Sequence, residues 1–232
     1  MDPLELLASG EVEVLGRMPY SSNATLLTAV RVDGTAEGLA VYKPGRGERP
    51  LWDFPPDIYV RERAAYLLSE ALAWRLVPPT VVRDDAPLGP GSLQLFIEAD
   101  FEEHYFTLIE DERYHDALRT ICTFDLLANN TDRKSGHCLV DGDGHVWAVD
   151  NALCFSSQPK LRTVIWEFGG EAIPDRLLGD VERLVADGVP SDLAGVLDSR
   201  ERAALLRRAR SVLTKPCFPI DRSGHRYPWP LV

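Results

Sequence analysis

The sequence divides into two parts whose hydrophobic residues recur with different periods. Through about residue 98, apolar side chains mostly alternate with polar ones, as in a strand that buries one face. From about residue 112 onward they recur every three or four residues, as in an amphipathic helix. We therefore expect an α+β protein with an antiparallel sheet in its first part and mainly helices in its second.

The same patterns set the bounds of the elements. The predicted strands cover residues 11–17, 25–32, 38–43, 80–83 and 92–98. One helix interrupts them at 58–75, and Asp57 is placed to cap its first turn. The second part holds predicted helices at 112–129, 174–187 and 199–213, with Ser199 as the cap of the last, and a hairpin with strands 137–140 and 145–149.

Composition and charge exclude several classes of function. The chain has 232 residues and a net charge of −11. Nucleic-acid binders and proteins held on anionic lipid by charge need a basic surface, so we expect neither partner. No signal peptide or membrane-spanning stretch is visible, and the sparse cysteines at 122, 138, 154 and 217 suit small core residues in a reducing compartment. These features predict a cytoplasmic protein without stable membrane association.

Lysine is rare in this chain. Arginine supplies all but four of the 25 basic residues, and the lysines are Lys43, Lys134, Lys160 and Lys215. A genome rich in G and C encodes arginine wherever a surface only needs a cation. Each lysine that is kept is therefore a candidate for a specific role.

Three polar side chains surround the predicted hairpin. Asp132 follows a helix, His137 stands at the entry to the first hairpin strand, and Asp150 ends the returning strand. Phosphoryl transfer needs such an edge, because one carboxylate deprotonates the acceptor while another, with a polar neighbour, holds a divalent ion. Lys43 on the third strand and Glu62 in the next helix would complete it, the lysine facing nucleotide phosphates and the glutamate fixing the lysine.

Asp125 places a carboxylate on the apolar face of the helix predicted at 112–129. A carboxylate that is buried without hydrogen bonds is costly. We therefore expect a structural role for Asp125, accepting hydrogen bonds from backbone donors of the loop at 129–133.

Four blocks of sequence carry a resemblance to a known family. They are Val41 to Pro44, Arg61 to Leu67 running on to Val77–Thr80, Gly91 to Glu98, and Phe124 to Arg133 with Asp150. In this order and spacing they resemble the phosphatidylinositol 3-/4-kinase-like branch of the protein-kinase fold, most closely type II phosphatidylinositol 4-kinases and more distantly HipA-like kinases. The resemblance implies a bilobal kinase-like fold in a bacterial branch of the family, with an N-lobe at 1–98 and a small, mainly helical C-lobe at 99–232.

The resemblance also implies a role for each matching residue. Lys43 would bind phosphate with Glu62 as its ion-pair partner, and Asp132 would be the catalytic aspartate. Asp150 would be the principal metal ligand and His137 the second. The remaining matches concern the nucleotide: Ser21, Ser22 and Asn23 would lie over the phosphates in place of a glycine-rich loop, and Phe96, Ile97 and Glu98 would meet adenine through their backbone.

The implied activity is an ATP-dependent phosphotransferase that uses Mg²⁺ or Mn²⁺. The net charge of −11 favours a protein or small-molecule acceptor over a lipid. His137 stands where most such kinases have asparagine, which favours Mn²⁺ or removes one metal site. Two alternatives stay open: a pseudokinase that serves as a nucleotide-binding regulatory module, and an enzyme of the same fold that transfers AMP.

Overall fold

An antiparallel sheet forms the first part of the protein. The structure, a computed structural model, describes residues 1–19 and 24–231. The strands of this sheet are β1 Glu11–Arg17, β2 Leu26–Val32, β3 Thr35–Pro44, β4 Thr80–Arg83 and β5 Gly91–Leu95, in the spatial order β1-β2-β3-β5-β4. Every predicted strand is present. The last one ends at Leu95 rather than at residue 98, because Phe96 makes the final backbone bond, to Leu39, and the chain then leaves the sheet.

Helices dominate the second part, which confirms the predicted fold class. The first part contains α1 Pro3–Ser9 and α2 Tyr59–Ala71, and the second contains α3 Tyr105–Leu108, α4 His115–Ala128, α5 Asp175–Asp187, α6 Ser191–Val196 and α7 Ser199–Thr214. The predicted helices correspond to α2, α4, α5 and α7. The short helices α1, α3 and α6 were not predicted.

The start of α2 differs from the prediction. Asp57 does not cap the helix, since its own backbone is left-handed with φ of 63°. The carboxylate of Glu48 instead accepts the backbone N–H groups of Ile58 at 3.1 Å and Tyr59 at 2.7 Å. Glu48 thus does from ten residues away what a local cap would do. The helix also ends before residue 75, because Ala73 is left-handed with φ of 57°.

The cap of α7 and the start of α4 also differ from the prediction. Asp198, not Ser199, caps α7 by accepting the N–H groups of Arg200 at 2.7 Å and Glu201 at 2.8 Å. The Glu201 carboxylate accepts the Asp198 N–H in return, which completes a capping box. The helix predicted from residue 112 starts as a single 3₁₀ turn over 112–114, and α4 proper begins at His115.

Helix α2 packs both against strands β4 and β5 of the sheet and against the helical part of the protein. Its inner side chains, such as Leu68 and Leu72, belong to the same hydrophobic core as Ile121 and Phe124 of α4. A smaller core lies under the sheet. Glu62 on α2 is therefore held where the sheet and the helical part meet, while the lobe boundary at 98/99 stays a prediction.

The hairpin forms where it was predicted, and the tail at 215–231 follows α7. The hairpin consists of β6 Cys138–Val140 and β7 Val146–Ala148. In the tail, the carbonyl of Leu231 accepts the N–H of Ser135 at 2.8 Å, and Phe218 is buried, so the segment packs on its own chain. All four cysteines are free thiols, three of them buried. Within residues 1–19 and 24–231, no helix is both long and apolar enough to cross a bilayer.

Candidate active site

Three distant segments meet at the ammonium group of Lys43 on β3. Its Nζ lies 2.5 Å from Oε1 of Glu62 on α2 and 2.6 Å from Oδ1 of Asp150, which follows β7. Burial alone would lower the pKa of Lys43, but the Asp150 and Glu62 carboxylates outweigh burial and hold that pKa above its ordinary value. Lys43 is therefore a fixed cation between two carboxylates.

Glu62 also positions the backbone beside Asp150. Its second oxygen accepts the N–H of Asn151 at 2.9 Å, and its side chain is only 1% exposed. Asp150 has φ of 56°, a left-handed conformation that is uncommon for an aspartate and persists only where neighbouring contacts hold it. One buried glutamate thus fixes both the lysine and the carboxylate that faces it.

Asp132 lies in the loop after α4 with a cation beside it. Its N–H donates to Oδ1 of Asn130 at 2.9 Å, and Nζ of Lys134 lies 3.4 Å from its Oδ2. Burial raises the pKa of Asp132 to about 6; Lys134 opposes this rise and the Asp150 charge adds to it. A carboxylate with such a pKa can accept a proton near neutral pH.

His137 faces Asp150 from the start of the hairpin. Its Nε2 lies 3.3 Å from Oδ2 of Asp150. Burial lowers the pKa of His137 to about 4, so the ring is neutral at physiological pH and able to serve as a metal ligand. Asp150 is half exposed, and although partial burial acts to raise its pKa, Lys43 and His137 hold that pKa below its ordinary value.

The side chains of Asp150 and His137 suit a divalent ion that is shared with a bound phosphate. Within the described residues, no group of three or more histidine, cysteine, aspartate or glutamate side chains could hold an ion alone. An ion between Asp150 and His137 would therefore need further ligands from phosphate and water, as Mg²⁺ and Mn²⁺ have in phosphoryl-transfer sites. A nitrogen ligand beside a carboxylate favours Mn²⁺ over Mg²⁺.

A buried ion pair supports the loop that carries Asp132. Arg133 is fully buried, and its Nε and Nη2 donate to Asp125 at 3.1 and 2.9 Å. The Asn130 amide donates to the same carboxylate at 3.1 Å. The structural role predicted for Asp125 is correct, but the predicted donors are wrong: the donors are side chains rather than backbone groups, since a buried guanidinium on the same loop supplies stronger, charge-assisted bonds.

Arg133 also joins that loop to the strand that ends at Asp150. Its Nη1 donates to the carbonyl of Val149 at 2.8 Å, and its Nη2 donates to Oδ1 of Asn151 at 2.7 Å. One buried guanidinium therefore fixes the residues next to both Asp132 and Asp150.

The residues predicted to contact the nucleotide are only partly located. Ser21, Ser22 and Asn23 lie outside the described residues. Phe96, Ile97 and Glu98 follow β5 directly, and they are half-buried, buried and exposed, respectively. Their contact with adenine stays a prediction.

The sequence did not point to Arg133 or Asn151. Arginine is common in this chain, and both residues make their contacts in the site as fully buried side chains, which the sequence does not reveal. Lys134 was noted only as one of the four lysines. Its position two residues after Asp132 was the signal that could have placed it in the site.

Comparison with protein-family models gives a match over most of the chain. The model described as phosphatidylinositol 3- and 4-kinase matches residues 53–203. The chain belongs to the phosphatidylinositol 3- and 4-kinase family. A curated relative, protein Rv2133c of Mycobacterium tuberculosis, is 40% identical over 268 residues, and the match covers 99% of this chain and 95% of the relative. The family expected from the sequence blocks is confirmed.

Solved structures share the fold of this family member at low sequence identity. Hydra Fam20 with sugar matches with a TM-score of 0.58 at 15% identity, covering 91% of this chain and 86% of that one. The Golgi casein kinase with Mn/ADP bound matches at 0.53 and 16% identity, covering 99% and 79%. The Helicobacter pylori proinflammatory kinase CtkA matches at 0.51 and 12% identity, covering 91% and 94%. The fold of this family member is therefore kinase-like.

Proposed function

We propose that this family member transfers the γ-phosphoryl group of ATP, with Mg²⁺ or Mn²⁺, to a hydroxyl group of a small molecule or protein. The observation that carries this proposal is the contact of the Lys43 ammonium with both Glu62 and Asp150. A lysine fixed by a glutamate and facing a metal-binding aspartate is the arrangement that binds the phosphates of ATP in kinases. The Golgi casein kinase structure that shares this fold holds Mn/ADP, which supports the same ligands here.

Each side chain of the site has a part in this reaction. Lys43 would contact the nucleotide phosphates, and Asp150 with His137 would hold the ion. The bound ion would neutralise charge on the phosphate oxygens. Lys134 would add a second cation near the transferred group. Adenine would meet the backbone at 96–98, and Ser21, Ser22 and Asn23 would lie over the phosphates.

Asp132 would act as the general base. It would take the proton of the acceptor hydroxyl as the acceptor oxygen forms its bond to the γ-phosphorus. The bond from that phosphorus to the β–γ bridging oxygen breaks, and ADP leaves with the bonding electrons. The raised pKa of Asp132, about 6, suits a group that accepts a proton in this step.

Nucleotide binding can be tested by thermal unfolding. We expect ATP with Mn²⁺ or Mg²⁺ to raise the melting temperature of the wild-type protein, because a ligand that binds only the folded state stabilises it. Asp150→Ala should abolish this shift. Asp143→Ala is the matched control, since Asp143 is an exposed aspartate in the turn of the same hairpin. The absence of any wild-type shift at millimolar nucleotide with either ion would contradict the proposal.

Labelled ATP separates the proposal from its alternatives. We expect label from γ-³²P-ATP to reach an acceptor and label from α-³²P-ATP not to do so. Transfer of the α label would show AMP transfer instead. Nucleotide binding without transfer of either label would show a pseudokinase.

A further inference from the structure

A large groove opens beside Asp132. It has a volume of about 930 Å³ and is lined by the loop at 51–54, the segment at 159–162, one face of α7 and part of the tail. Asp132 is in its wall, whereas Lys43 and Asp150 are not among the described residues that line it. The groove therefore reaches Asp132, the proposed base, from a side that neither Lys43 nor Asp150 lines.

Positive charge is concentrated in this groove although the whole chain is acidic. Its basic side chains are Lys160, Arg162, Arg208, Lys215 and Arg226, and its carboxylates are those of Asp53 and Asp132. Two of the four lysines of the chain are in this set. A basic groove in a protein of net charge −11 concentrates small anions locally.

Most of these cations lack a carboxylate partner. Lys160 is paired, since its Nζ lies 2.9 Å from Oδ2 of Asp53. Arg162 and Lys215 are exposed, and no carboxylate among the described residues pairs with either. Unpaired cations in a concave site favour an anionic ligand.

Arg208 shows the same feature in a more buried position. Its Nε donates to the carbonyl of Leu127 at 2.7 Å and its Nη1 to that of Ser156 at 3.2 Å. Its Nη2 is buried without any hydrogen-bond partner. Burial lowers the pKa of Arg208 to about 10, which still leaves the side chain charged at neutral pH. Arg208 therefore adds to the groove wall a positive charge that no carboxylate among the described residues pairs with.

We propose that this groove binds the phosphate group of a small, soluble acceptor whose hydroxyl group reaches Asp132. This inference rests on the proposed function, since it assigns the acceptor of that reaction. Guanidinium and ammonium groups donate well to phosphate oxygens. The acceptor keeps its own phosphate, and its hydroxyl oxygen forms the new bond to the γ-phosphorus while Asp132 takes the proton and ADP leaves.

The size of the groove and the net charge favour a small molecule. A volume of about 930 Å³ lies within the range of small-molecule sites. A long acidic peptide or an anionic bilayer would extend beyond the groove and meet a chain of net charge −11. A compact phosphate ester contacts only the basic walls.

The test is a calorimetric titration with inorganic phosphate and glucose 6-phosphate as probes. Glucose serves as the uncharged reference. We expect the wild-type protein to bind both phosphates, and Arg162→Gln/Lys215→Gln to weaken that binding by about tenfold or more through the loss of two charge-assisted contacts. Arg210→Gln, an exposed arginine of α7 outside the groove, should bind as the wild type does. Unchanged melting temperatures will show that the variants fold.

Two results would overturn this inference. One is phosphate binding that is absent in the wild type or unchanged in the double variant. The other is binding of poly-glutamate, or of vesicles containing phosphatidylinositol, that depends on Arg162 and Lys215 while both phosphate probes fail to bind. The nucleotide test is separate. Absence of the ATP-induced thermal shift with intact phosphate binding would refute the proposed function and leave the groove as a phosphate site without an acceptor role, whereas the reverse result would refute only the acceptor assignment.

Discussion

The two sides of Asp132 treat charge in opposite ways. On one side, the Lys43 cluster of Lys43, Glu62 and Asp150 pairs its cation with carboxylates at 2.5 and 2.6 Å. On the other side, the groove leaves Arg162 and Lys215 without a carboxylate partner among the described residues. The paired cluster is organised before a ligand arrives, whereas the groove has charge that a ligand must neutralise. Substitutions should therefore affect the two sides differently.

The largest effect is expected between the two sides, at Asp132 itself. Asp132→Asn should lower the rate of phosphoryl transfer by about 10²–10⁴-fold, because the amide cannot accept the proton. The ATP-induced thermal shift should remain, since Asp132 is not needed to hold the nucleotide. Steady-state transfer of label from γ-³²P-ATP measures the rate, with Asp143→Asn as the control. A variant that keeps its activity would show that Asp132 is not the base.

The largest effect on stability is expected at the buried ion pair of Asp125 and Arg133. Asp125→Ala leaves the Arg133 charge buried without a partner and should lower the free energy of unfolding by about 3–5 kcal/mol. Urea denaturation measures this change. The double variant Asp125→Leu/Arg133→Met removes both charges and should be destabilised less. Equal losses in the single and double variants would mean that packing, not the unpaired charge, sets the cost.

Glu62 should affect nucleotide binding through the groups it holds, Lys43 and the Asn151 N–H. Glu62→Gln weakens the hold on Lys43 and on the Asn151 N–H, so we expect the affinity for ATP with its ion to fall by about tenfold. Calorimetric titration measures the affinity. Glu70→Gln, an exposed glutamate on the same helix, should bind as the wild type does. An unchanged affinity in Glu62→Gln would remove Glu62 from the proposed site.

The pH dependence of transfer should report on Asp132. The base is the deprotonated form, so kcat/KM should rise with pH through the pKa of about 6 and level off above it. The residual activity of Asp132→Asn should lack this rise. A profile of the same shape in both proteins would assign the titration to another group.

The smallest effect is expected in the groove. Arg162→Gln should change the free energy of unfolding by no more than about 0.5 kcal/mol, because the side chain is exposed and pairs with no carboxylate among the described residues. The same urea experiment that detects a large loss in Asp125→Ala should detect almost none here. A loss above about 1 kcal/mol would show that Arg162 supports the fold, against the contrast between the two sides.

Periodicity predicted the strands and the longer helices. The strands from β1 to β5 and the helices α2, α4, α5 and α7 each have enough residues to show their period. The short helices did not, since α3 has only four residues. The cap of α2 was missed because Glu48 acts from outside the local sequence, and the neighbouring residues gave no sign of it.

The site could be predicted only where a residue has a recognisable position. Lys43, Glu62 and Asp150 were named from their places on a strand, a helix and a hairpin, and the structure brings them together. Arg133 could not be found in this way. Its contacts depend on complete burial, and the sequence does not distinguish a buried arginine from the many on the surface.

A crystal structure with Mn²⁺ and ADP would test the central claim most directly. We expect the ion to contact Asp150 and His137, Lys43 to contact the phosphates, and adenine to lie against the backbone at 96–98. A nucleotide bound elsewhere, with the contact between Lys43 and Asp150 unchanged and no ion at His137, would contradict the account.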